Sequence, residues 1–270
     1  MKKTALATGA AALVISLSGC GAHAINGTAS TDPQLFGNAQ ELVRAATNGT
    51  EKAKSAKFSM ESSIAGLDMN GQGAGRFDGE NTAMRMTMHV ATVDEEIRYV
   101  DKTMYIQLPE QTRARMTGGK PWGKVDPDSA LGKEMGAAQA QQNDPSQTLQ
   151  QIQEAGTIKR SEETTLDGQQ ATHYWIDMDL AKVADKLAEG SLSQAAIAQL
   201  KGKVSTIPVE VWLDKDQLPM QFTENLTEVM KAAGGGTGPA TLTMKYSDWG
   251  TPVDVQAPPA DQVGELKLPG

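Results

Sequence analysis

Hydrophobic residues change their period several times along the chain, and each change marks an element. Residues 5–17 are continuously apolar or small, a run shorter than the ~20 residues a spanning helix needs. After Asp32-Pro33, a helix start with proline in the first turn, Leu35, Ala39, Leu42, Val43 and Ala46 recur at helical spacing. They predict a helix to about residue 55, kinked at Asn48-Gly49. From Lys57 the period falls to two. Residues 58–64, a glycine-rich 69–77, 84–90, 96–100 and 103–108 read as strands, the last two joined by the two-residue connection Asp101-Lys102.

A segment at 121–126 closes this five-strand meander. Helical patterns follow at 127–142 and at 145–155 behind an Asn143-Asp144 cap. Strands return at 156–165 and 169–178 across Leu166-Asp167-Gly168. A second helical block, split near Gly190-Ser191, covers 179–200. Strands at 207–213, 220–229 and 241–246 complete the pattern, and the tail from Pro252 is proline-rich and extended. About ten antiparallel strands with helices grouped between them predict an α+β fold. A sheet this long curls, which predicts a strongly curved half-barrel with helices over its concave face.

The N-terminus adds chemistry. Lys2 and Lys3 precede an apolar stretch of signal-peptide length, and Leu17-Ser18-Gly19-Cys20 matches the bacterial lipobox at each position. Small residues enter the peptidase cleft, and the thiol takes up a diacylglyceryl group. Cys20 is the one cysteine of the chain, so an internal disulfide is excluded and lipidation at Cys20 is expected. The expected organisation is a signal peptide over 1–19, a lipidated flexible tether over 20–31 (small, polar and aperiodic) and one domain over 32–270. The expected location is the cell membrane, lipid-anchored on its extracytoplasmic face.

Charge and composition narrow the function classes. The net charge is −8, and loss of Lys2 and Lys3 with the leader takes it to −10. Such a surface argues against nucleic acid as partner and against a basic grip on anionic headgroups. Nothing in the motifs supports an enzyme. His23, His89 and His173 are scattered, which gives no metal site. No nucleophile elbow is present. Gly71-x-Gly73-x-Gly75 lies in a strand, with no helix after it to cradle phosphate. The pairs Glu95-Glu96 and Glu162-Glu163 sit on strands, where neighbours point to opposite faces, and both read as solvated charge. No cofactor is expected.

With these elements in order, the chain resembles the actinobacterial LppX/LprAFG-type lipoproteins, which are similar in fold to the periplasmic lipoprotein carriers LolA and LolB. The residues that carry the resemblance are Val100 to Ile106 (VDKTMYI), Trp122-Gly123-Lys124-Val125, and Asp167-Gly168 with Thr172-His173-Tyr174. Val211-Trp212-Leu213-Asp214 with Leu218-Pro219, and Tyr246-Ser247-Asp248-Trp249-Gly250, complete the set. The likeness covers roughly residues 33–260 and rests on strand and turn signatures in a fixed order. It implies a half-barrel around an apolar cavity that binds acylated lipid or glycolipid, in a monomer held to the membrane through Cys20. No single ligand-binding residue carries over.

The residues themselves offer one apolar candidate. Met84, Met86 and Met88 alternate with Arg85, Thr87 and His89, so the three methionines share one face. Methionine is unbranched and polarizable, which suits an adaptable binding surface. Facing the helices, they line a lipid cavity in one reading and fill a solid core in the other. The first reading makes a lipid carrier; the second makes a sensor or protein-interaction module on the same fold.

Overall fold

The computed structural model describes residues 35–64, 66–90, 93–126, 144–183, 200–234, 236 and 238–267. They belong to one compact unit, Asp32–Gly270. The helices are α1 (Ala39–Ala53), α2 (Glu110–Met116), α3 (Pro145–Ala155) and α4 (Thr227–Ala232). The strands are β1 (Ser55–Ile64), β2 (Leu67–Arg76), β3 (Ala83–Val90), β4 (Val93–Val100), β5 (Thr103–Gln107) and β6 (Trp122–Val125). They continue with β7 (Gly156–Leu166), β8 (Gln169–Asp179), β9 (Thr206–Leu213), β10 (Pro219–Asn225), β11 (Thr241–Ser247) and β12 (Val263–Glu265).

All twelve strands form one open, curved sheet in the order β12-β6-β5-β4-β3-β2-β1-β11-β10-β9-β8-β7. Every pairing is antiparallel except β12 with β6. These two strands are the ones beyond the expected ten. The tail was expected to be wholly extended; instead a 3₁₀ turn at Ala260–Gln262 sets Val263 opposite Trp122. Hairpin geometry follows the sequence closely. Asp101 and Lys102 both have positive φ (51° and 58°), as do Asp167 and Gly168 (51° and 81°), the requirement of a turn that matches strand twist.

Helix α1 starts six residues after the expected proline, because the Asn38 side chain accepts a bond from the Glu41 N–H and caps it at Ala39. It runs unbroken through Asn48-Gly49 to Lys54, whose φ of 61° ends it. Asp144 caps α3 as expected. Helices α2 and α4 are short segments that periodicity does not reveal. The expected helices over 127–142 and most of 179–200 fall outside the described residues.

Alternation gives the sheet two faces. One carries Phe58, Met84, Met86, Ile97, Met104, Tyr174, Ile176, Val209, Val211 and Phe222, all buried in a single core with Leu42, Val43 and Ala46 of α1 and Leu149 and Ile152 of α3. Helices α1 and α3 pack on each other, and α3 lies against β7 and β8. The other face carries most of the charge. No described helix is long and apolar enough to cross a membrane.

Candidate functional site

The three candidate methionines all lie on the inner face. Met84 and Met86 are core residues at 1% and 3% exposure, and Met88 is half-buried against the same core. The glycine-rich strand explains how they fit. In β2, Gly71, Gly73 and Gly75 pair with Met88, Met86 and Met84, and alternation turns all six residues inward. A Cβ at Gly73 would come within 2.6 Å of the Phe58 ring and 2.3 Å of the Arg85 carbonyl oxygen; one at Gly71 would meet the sulfur of Met88 at 3.1 Å. The glycines thus make a shallow track in which Phe58 and the methionine thioethers lie against backbone.

Cover is uneven along this face. The row Val211, Phe222 and Met244 continues into Met60, Gly71, Met88 and Glu95; the next row runs Val209, Glu224, Leu242, Ser62 and Met69. On β9 these rows are fully buried, but Met60, Met69, Met88 and Leu242 are half-buried. They form an apolar patch, rich in methionine, with a carboxyl on each flank.

Those carboxyls, Glu95 and Glu224, are the groups that sequence reasoning missed. Glu95 shares its face with Ile97 and Tyr99, and Glu224 shares its face with Phe222. Both are half-buried, and neither has a hydrogen-bond or ion-pair partner among the described residues. Burial pushes both above the ordinary carboxylate range. The expectation of solvated charge at Glu95-Glu96 is therefore corrected for Glu95. Glu96, facing outward, pairs with Arg98 at 2.8 Å. The signal that could have found Glu95 is its parity with Ile97 and Tyr99 along β4. Tyr246, on the same face, is also pushed up by burial, then by Asp144 and Glu224.

The outer face sets aromatic and charged groups against one another. His173 is buried between Trp175 (ring centroids 3.5 Å apart) and Trp212 (3.9 Å), with Nε2 2.8 Å from a Glu210 carboxylate oxygen. Arg160 lies 4.4 Å over Trp175 and pairs with Glu162. Burial lowers the His173 pKa, against the pull of Glu210. Two open clefts on this face, of about 710 and 850 Å³, share Ser59, Gln72 and Thr87 in a mostly polar lining. Neither is an enclosed apolar void. His89 pairs with Asp94 and stands apart from His173, and no cluster of three metal-ligating side chains exists among the described residues. Cys20 lies outside the described residues.

No family model matches the chain. Among curated proteins it is 26% identical over 252 residues to an uncharacterized 31.2 kDa Streptomyces griseus protein encoded between rplA and rplJ, covering 85% of this chain and 78% of that one. It is 25% identical over 257 residues to a Streptomyces coelicolor protein named as a lipoprotein, covering 88% and 79%. Among solved structures it is similar to the Mycobacterium tuberculosis lipoprotein LppX (TM-score 0.49, 13% identity, 81% of this chain and 98% of that one). It is also similar to LprF of Mycobacterium bovis (TM-score 0.46, 15% identity, 82% and 96%). Two of the proteins it is similar to, the Streptomyces coelicolor protein and LppX, carry the name lipoprotein.

Proposed function

We propose that this protein is a membrane-tethered lipoprotein that binds the acyl chains of a lipid on the inner face of its sheet. The leader over 1–19 is removed, Cys20 carries the lipid anchor, and residues 20–31 link it to the domain on the extracytoplasmic side. The role is binding, and it requires no cofactor. The observation that carries the reading is the half-covered methionine patch of Met60, Met69 and Met88 over the Gly71 track. Burying acyl chain there contributes ~0.8 kcal/mol per CH₂. Flexible thioethers adapt to chains of differing shape.

The burial of Met84 and Met86 favours the second reading, a filled core in a sensor or interaction module. Mass spectrometry of organic extracts separates the two. The non-acylated domain, purified from an actinobacterial host, should release acyl lipid in near-stoichiometric amount. An empty extract would leave the non-carrier module. For the anchor, Cys20→Ala should move the protein from the membrane fraction to the soluble fraction.

A further inference from the structure

Among the described residues, the acids of the inner face have no cation to meet them. Its inward positions on β1–β5 and β8–β11 carry no lysine or arginine: along β3 they are methionines, along β9 isoleucine, valine and leucine. On the two flanks of the half-covered patch stand Glu95, whose cross-strand neighbour is Met88, and Glu224, set between Val209 and Leu242. Several acids away from the inner face have partners: Glu96 has Arg98 at 2.8 Å, Asp248 has Lys57 at 2.9 Å and Asp167 has Lys245 at 3.1 Å. A half-buried carboxyl among apolar side chains costs stability when unpaired, and folding alone gives no reason to keep two.

We infer that Glu95 and Glu224 select the headgroup of the bound lipid, accepting uncharged or cationic groups that carry hydrogen-bond donors and turning away anionic ones. This rests on the lipid-binding reading above. An ionised carboxyl accepts from a hydroxyl or ammonium at either flank of the patch. A phosphate monoester or other anion placed at either flank finds no counter-charge among the described residues of the sheet and, where the carboxyl there is ionised, meets a like charge in surroundings whose low polarity strengthens the repulsion. The overall charge of −8 adds to the same preference at longer range. The apolar patch holds the chains, and the carboxyl at the flank that the head reaches reads it.

The test holds the acyl chains constant. Dioleoylglycerol and dioleoylphosphatidic acid, each at equal mole fraction in phosphatidylcholine vesicles, are offered to the acyl-free domain at pH 7.5, and the lipid carried away from the vesicles is quantified. The wild type should take up diacylglycerol about ten-fold more readily, a difference of ~1.4 kcal/mol. The double variant Glu95→Gln/Glu224→Gln should narrow that preference to about three-fold or less. Its circular dichroism should be that of the wild type; its diacylglycerol uptake should fall, because an amide oxygen accepts from the glycerol hydroxyl more weakly than a carboxylate, and its phosphatidic acid uptake should rise. Equal uptake of the two lipids by the wild type, or an unchanged preference in the double variant, would overturn the inference and leave lipid binding standing. Uptake of neither lipid by the wild type would remove both.

Discussion

The inner face of the sheet is built in two ways. Over β8 and β9 it is made of Tyr174, Ile176, Val209 and Val211, at 0% to 1% exposure. There α3 packs against β8, and the Tyr174 hydroxyl accepts a bond from the Phe36 N–H ahead of α1. Over β1–β4, β10 and β11 it mixes methionine and glycine with Phe58, Ile97, Tyr246 and two acids, and Met60, Met69, Met88 and Leu242 are half-buried. Branched and aromatic side chains have few rotamers and suit a surface with one fixed partner. Methionine over glycine has many rotamers and no fixed partner. The contrast divides one face of one sheet into a part sealed by packing and a part only half covered.

Substitutions should expose that division, beginning with the sealed half. Ile176→Ala or Val211→Ala removes volume that α1 and α3 cannot collapse to fill, and should cost ~2–4 kcal/mol in denaturant unfolding. Gly73→Ala should cost ~1–3 kcal/mol, because its Cβ meets the Phe58 ring and the Arg85 carbonyl of the neighbouring strand. Met88→Ala, in the half-covered region, should cost only about 1 kcal/mol and reduce lipid uptake more than stability. The smallest effect belongs to the outer face: Lys245→Ala removes an exposed ion pair with Asp167 and should change stability by less than ~1 kcal/mol. If Met88→Ala proved as costly as Ile176→Ala, the two halves would be one continuous core.

Acid titration sharpens the same comparison. The folded-state pKa of Glu224 is raised, so the unfolded chain gives up its proton first and stability falls as pH rises above the ordinary value of 4.5. Its neighbour Tyr246 stays protonated throughout. Glu224→Gln should therefore be more stable than the wild type at pH 7, with the difference gone below about pH 4. His173 runs the other way. Its folded pKa lies below 6.5 through burial, so the unfolded chain binds the proton first and stability falls as pH drops through that value. Glu210 and Glu162 oppose this shift and Arg160 adds to it. His173→Gln should flatten the wild-type slope between pH 7 and 5, read from unfolding midpoints.

Much of the architecture was legible along the chain, because local rules fix it. Alternation gave the five-strand meander, Asp101-Lys102 and Asp167-Gly168 gave the tight hairpins, and Asp144 gave the start of α3. Shared parity put Met84, Met86 and Met88 on one face. The departures have one local cause and one distant one. Asn38 caps α1 more strongly than Pro33 starts it, and β12 is three residues whose partner, β6, lies about 140 residues earlier. Helices α2 and α4 are too short to carry a period.

The sequence by itself determined the lipobox at Cys20, the acidic balance, the strand order along the chain and which side chains share a face. These depend on residue type and on periods of two and 3.6, which need no knowledge of distant contacts. Only the tertiary structure decided which face turns inward, and how completely each part of it is covered. Alternation places Glu95 and Glu96 on opposite sides without saying which side is dry; burial is a property of what packs above a strand, and that comes from elsewhere in the chain. The carboxyls of Glu95 and Glu224 became candidates for function at that point, when the fold set them beside Met88, Val209 and Leu242 with no partner among the described residues.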